Sequence, residues 1–146
     1  MNRIALVAIL VMAPVTLPLG AQQGPKIAHQ PSPTRPYSAA VQVGDMYWLS
    51  GKLGATEETR AMTEGRTGAE THNIMRSFGE LLGDLGMDFS NIVRGVVYLA
   101  DVGDYNEMNE AYGQYFSDDP PSRVAVEVSE LIGGARIEIS FIAVKN

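Results

Sequence analysis

The chain runs to 146 residues, 45% of them hydrophobic and 19% charged, which suits one globular domain with its own core and leaves no length for a second. Its 17 acidic residues outnumber 11 basic ones for a formal charge of −6, a balance that repels nucleic acid and anionic lipid on average. The absence of cysteine excludes disulfides, thiolate metal sites and cysteine nucleophiles, and the only histidines, His29 and His72, stand too far apart in sequence to suggest a metal centre.

The opening stretch, "MNRIALVAILVMAPVTLPLGAQQG", carries one basic residue, Arg3, an uncharged apolar run from Ile4 to Leu19, and small residues at Gly20 and Ala21. That pattern predicts a secretory signal peptide over residues 1–21, with cleavage near Ala21 and a periplasmic or secreted product. As a membrane anchor the run falls short of the ~20 residues a bilayer requires, and Pro14 and Pro18 break it. No cysteine stands near the cut to take a lipid, so no membrane attachment is expected after cleavage. Residues 22–36, within "QQGPKIAHQPSPTRP", are rich in proline and polar side chains and are expected to form an extended arm ahead of a domain over 37–146.

Within that domain, "SAAVQVGDMYWLSG" reads as two short strands around a Gly44-Asp45 turn. From Thr67 to Gly86 the period changes: Ile74, Phe78, Leu81, Leu82 and Leu85 recur at helical spacing, and Gly86 ends the helix. "NIVRGVVYLAD" follows as a strand rich in β-branched residues. Asp104 and Glu107 have the spacing of a capping box for a second helix, whose apolar face would be Tyr105, Met108, Tyr112, Tyr115 and Phe116. Two strands close the chain, giving the order β-β-α-β-α-β-β, an α+β domain with two helices on one face of a sheet. The other face is left bare, and Trp48 or valines on it would demand a partner.

The terminal strands carry the charges of interest. Val124, Val126 and Val128 alternate with Arg123, Ala125, Glu127 and Ser129, so the valines are expected on the core face and Arg123 on the other. Ile137, Ile139 and Phe141 alternate in the same way with Glu138 and Ser140. One reading of Arg123 is a solvated surface charge; the other is a fork that takes a carboxylate in bidentate fashion, which lysine cannot copy. Glu127, roughly 13 Å further along the strand at ~3.3 Å per residue, is a poor partner for it. Glu138 is either an outward-facing carboxylate or a group that orients or deprotonates a water.

These residues carry a resemblance. "PSRVAVEVSEL", followed after five residues by "IEI", resembles the signature of the Rid (YjgF) family of imine deaminases. The likeness continues through "RPYSAAVQVGDMYWLSGKLG", "DLGMDFSNIVRGVVYLADVGDYNEMNEAYGQYF" and "IAVKN", covering about residues 35–146. It implies a chorismate-mutase-like fold with a mixed sheet, assembled as a homotrimer with ligand clefts between subunits. It implies hydrolysis of enamine and imine acids, such as 2-aminoacrylate and 2-iminopropanoate, to a 2-keto acid and ammonia without metal or organic cofactor. By the same resemblance Arg123 grips the substrate carboxylate and Glu138 positions the attacking water, while Tyr37, Ser50, Gly51, Asn109 and Ala125 line or shape the cleft. Two positions depart from the family pattern: Ala125 stands where cysteine is frequent, and Lys52 stands where glutamine is frequent and could alter the cleft's charge.

Two other functions compete with the hydrolase. A secreted, non-catalytic trimer could use the same clefts to bind small carboxylates, or its surface to hold proteins, but it would need Arg123 without Glu138. Ribonuclease activity, reported for some members of the family, would call for a basic stripe that an acidic chain does not offer.

Overall fold

A computed structural model describes residues 24–62, 64–116 and 119–145; the expected signal peptide lies outside the described residues. Six strands form one sheet in the order β1-β2-β3-β6-β4-β5. They are β1 (Ile27–Pro31), β2 (Ser38–Val43), β3 (Met46–Leu53), β4 (Ile92–Leu99), β5 (Ser122–Glu127) and β6 (Ile137–Val144). Three helices accompany them: α1 (Glu57–Ala61), α2 (Arg66–Asp84) and α3 (Tyr105–Gly113). All strand pairs are antiparallel except β4 and β5, which run parallel and are joined through α3.

The β2–β3 hairpin turns where expected, at Gly44-Asp45, with Gly44 at a φ of 59° that glycine adopts without penalty. Ile74, Met75, Phe78, Leu81 and Leu82 of α2 are buried against the sheet, meeting Tyr47, Leu49, Val97, Leu99, Ile137, Ile139 and Phe141. Each such large apolar side chain contributes roughly 1.5–3 kcal/mol on burial. Phe78 meets Phe141 edge-on, with ring centroids 4.7 Å apart. Glu70, fully buried, accepts from Arg66 Nε (2.8 Å) and from the Arg136 amide (2.8 Å), tying α2 to the start of β6.

Besides adding the short helix α1, which the expected order lacks, the structure departs from the sequence reading in four places. The segment read as an arm contributes β1, which pairs antiparallel with β2 from Ile27 opposite Gln42 to Pro31 opposite Ser38; proline is tolerated at such an edge. The capping box of α3 does not form. Asp104 Oδ2 instead accepts from Thr67 Oγ1 (2.6 Å) and from Arg136 Nη2 (2.6 Å), and Glu107 Oε1 accepts the Gly68 amide at the start of α2 (2.5 Å). Arginine and exposed helix-end amides draw the carboxylates more strongly than their own helix does. The apolar face of α3 narrows to Met108, Ala111 and Tyr112, because Tyr105 is 41% exposed and Tyr115 and Phe116 follow the helix end.

The fourth departure is the orientation of β5. Val124 and Val126 are exposed, while Arg123 and Ala125 are half-buried beneath the helices, so the strand's faces are the reverse of those expected. In β6 the expectation holds: Ile137, Ile139 and Phe141 are buried and Glu138 lies on the open face. Alternation is the same whether valines face a helix or an open sheet, so the pattern alone could not choose between them. The open face gathers Trp48, Ile142, Val96, Tyr98, Val124 and Val126 in cross-strand register.

Candidate active site

Arg123 enters from edge strand β5 and lies over one side of α3. Nη2 donates to Asn109 Oδ1 (2.6 Å) and to the Tyr105 hydroxyl (3.3 Å), and Nη1 meets only the Met108 thioether, at 3.5 Å. The guanidinium also sits 4.7 Å from the Tyr112 ring centroid and 5.8 Å from that of Tyr105. Such cation–π contacts contribute on the order of 0.5–2 kcal/mol each. Tyr105, Asn109 and Tyr112 stand at i, i+4 and i+7, so one helical stripe builds the whole support. Asn109 and then the Arg123 charge hold the Tyr105 phenol below its ordinary value. Among the described residues no carboxylate pairs with Arg123, and a thioether is a weak acceptor, so Nη1 keeps its capacity for an incoming anion.

Glu138 faces a different space. A cavity of about 330 Å³ is lined by Arg35, Tyr37, Ser50, Gly51, Leu53, Ile132 and Glu138. The Glu138 carboxylate packs on the Cα of Gly51, where any Cβ would collide with its Oε1. Glycine at 51 is therefore what lets β3 and the Glu138 side chain approach so closely. The strand irregularity between Leu49 and Lys52 turns Gly51 toward the open face. Ser50 Oγ is committed to the Ser38 carbonyl (2.7 Å), and the Tyr37 hydroxyl accepts from Arg35 Nη1 (2.8 Å). Among the described residues the Glu138 carboxylate makes no hydrogen bond or ion pair, which leaves it open to a water or substrate proton.

Of the sequence candidates, Tyr37, Ser50, Gly51 and Glu138 thus converge, as do Arg123 and Asn109, with Ala125 packed under the helices beside Arg123's strand position. The two groups occupy opposite faces of the sheet and do not meet within one chain. Lys52 is absent from the residues lining the Glu138 cavity: its Nζ donates to Ser77 Oγ (2.6 Å) and Ser77 O (3.2 Å) of α2, and burial lowers its pKa. Sequence reasoning missed Arg35, Leu53 and Ile132 around Glu138, and Tyr105, Met108 and Tyr112 around Arg123. The i, i+4, i+7 spacing with Asn109 could have indicated the second set; Ile132 belongs to the cavity only through the return of the chain before β6. Among the described residues no cluster of His, Asp or Glu has the arrangement of a metal site.

A six-stranded mixed sheet with helices on one face is the architecture of chorismate-mutase-like α+β proteins. Residues 27–145 match the family model described as Endoribonuclease L-PSP, and the chain belongs to this family, also called YjgF or Rid. Protein DfrA of Myxococcus xanthus is 41% identical over 116 residues, covering 78% of this chain and 88% of that protein. Human 2-iminobutanoate/2-iminopropanoate deaminase is 37% identical over 119 residues, covering 82% and 87%. Among solved structures, a YjgF-family protein from Neisseria meningitidis superposes with a TM-score of 0.72 at 27% identity, covering 85% of this chain and 98% of that one. A RidA from an Antarctic Psychrobacter gives 0.68 at 30% identity, covering 79% and 93%.

Proposed function

We propose that this chain hydrolyses 2-imino acids to 2-keto acids and ammonia, in a site completed between copies of the chain in a homotrimer. The observation that carries the reading is the pair of complementary half-sites on opposite faces of one sheet: among the described residues, an oriented guanidinium without a carboxylate partner and a carboxylate without a hydrogen-bond donor. A second copy docked on the apolar face carrying Trp48, Val124 and Val126 offers a way to bring Arg123 of one copy to Glu138 of another. The relatives named as imine deaminases support the same chemistry.

In this mechanism Arg123 takes the substrate carboxylate, a charge-assisted contact on the order of 1.5–3 kcal/mol. Glu138 accepts a proton from water as the water oxygen bonds to the imine carbon. It passes that proton to nitrogen, giving a carbinolamine, and then carries the carbinolamine's hydroxyl proton to nitrogen as the C–N bond breaks, releasing ammonia and leaving the keto group. The imine is already electrophilic, so positioning and two proton transfers through one carboxylate meet the demands of the reaction. Export through residues 1–21 would place this activity in the periplasm or outside the cell; N-terminal sequencing of protein recovered from cells tests that part.

The deciding assay follows ammonia release from freshly generated 2-iminopropanoate, with acceleration over the spontaneous rate as the expected result. Pyruvate binding without acceleration would overturn the hydrolase and favour a carboxylate-binding module.

A further inference from the structure

The wall of the Glu138 cavity holds a cation that imine hydrolysis by Arg123 and Glu138 does not use. Arg35 stands two residues before Tyr37, on a turn closed by the Ser32 amide to the Tyr37 carbonyl (3.0 Å) and by Ser32 Oγ, which accepts the Arg35 amide (3.1 Å). Pro36 fixes its own φ and restricts the backbone of the residue before it, Arg35. The guanidinium is then held by the Tyr37 hydroxyl at 2.8 Å, so an exposed side chain is given a definite direction at the mouth of the cavity.

Its electrostatic situation differs from that of Arg66 and Arg136, which line the cavity at the start of α2. There Arg66 is paired with Glu70, and Arg136 with Asp101 and Asp104. Arg35 has a neutral phenol as its side-chain partner, and among the described residues no carboxylate lies within ion-pairing distance of it. In a chain with a formal charge of −6, an oriented and uncompensated guanidinium on a cavity wall is a receptor for an anion.

The rest of the wall limits what that anion can belong to. A substrate whose imine carbon lies at Glu138 shares the cavity with Tyr37, Leu53, Ile132 and Arg35. Leu53 and Ile132 offer apolar contact to a short methylene chain, and Arg35 offers the charge at its end. We infer that Arg35 is a specificity-determining residue, and that the site prefers 2-imino acids carrying a second carboxylate on the side chain, of the iminosuccinate and 2-iminoglutarate type, over the monocarboxylic 2-iminopropanoate. The inference rests on the hydrolase reading for its reaction but not for its ligand, because the keto acid products present the same two carboxylates.

The test uses the full-length protein in two arms. Calorimetric binding of 2-oxoglutarate and oxaloacetate is expected to exceed that of pyruvate by at least about threefold, a margin that added salt reduces. Arg35→Gln is expected to erase the margin and Arg35→Lys to keep part of it; both should fold, since the side chain is exposed. In the second arm, imines generated by enzymatic oxidation of glutamate and of alanine are compared, and the ratio of their kcat/KM values should fall in Arg35→Gln by the same factor. Equal affinities in the wild type, or a margin that survives Arg35→Gln, would overturn the inference. Failure of the wild type to accelerate either imine would sink the hydrolase reading alone, with the binding margin still deciding the role of Arg35.

Discussion

The surroundings of Arg123 and of Glu138 differ in how much of each side chain's bonding capacity the fold consumes. Arg123 is gripped by Asn109, Tyr105, Met108 and two aromatic rings, so its orientation is set before any ligand arrives. Glu138 rests on Gly51 with its carboxylate uncommitted. A group that only anchors charge gains from being immobilised, since less entropy is lost on binding. A group that must take up and release a proton gains from keeping its lone pairs free.

The largest expected effect comes from removing the immobilised partner. Arg123→Ala should lower kcat/KM for 2-iminopropanoate by roughly a hundredfold and weaken pyruvate binding to a similar degree, while circular dichroism stays native. Arg123→Lys should recover little, because an ammonium cannot reproduce the fork. Glu138→Gln should cut kcat by roughly a hundredfold yet leave pyruvate affinity close to wild type, separating the two roles. Mixing the two variants under conditions that exchange subunits should restore part of the activity if the halves come from different copies. No recovery would sink the composite site.

Next in size is the apolar face that would join those halves. Val126→Asp, at a position 42% exposed in the single chain, should leave the domain folded but shift light scattering from a trimer toward one chain mass, with turnover falling in parallel. An unchanged mass would show that this face is not the joint.

The smallest effect concerns Tyr112, which supports Arg123 with its ring while its buried hydroxyl finds no partner among the described residues. Burial pushes its pKa from 10.0 up to about 12, against the opposing effect of the Arg123 charge. Below pH 10 the phenol is neutral in folded and unfolded chains alike. Between 10 and 12 the unfolded chain ionises first, so stability falls as pH rises through that window. Tyr112→Phe should remove this slope in thermal melts at alkaline pH, and should change stability at neutral pH by less than about 1 kcal/mol, because no native hydrogen bond is lost.

The sequence by itself determined the order of the strands from β2 to β6 and of α2 and α3, though not the short α1, because local periodicity of 2 or 3.6 is written residue by residue in runs such as Ile74 to Leu82 and Ile137 to Phe141. It also supplied both charges, Arg123 and Glu138, and the Asn109 and Gly51 that touch them. Only the tertiary structure decided which side of β5 faces the helices. A strand's alternation fixes two faces without saying which is covered, and the valines of this edge strand turned out to serve the open sheet face rather than the core under the helices. Tertiary contacts likewise drew Asp104 and Glu107 out of their local capping box, since charged and helix-end donors on α2 and at Arg136 outbid a single backbone amide. The same holds for Arg35 and Ile132, almost a hundred residues apart in the chain, whose meeting around Glu138 depends on long-range packing that no local pattern encodes.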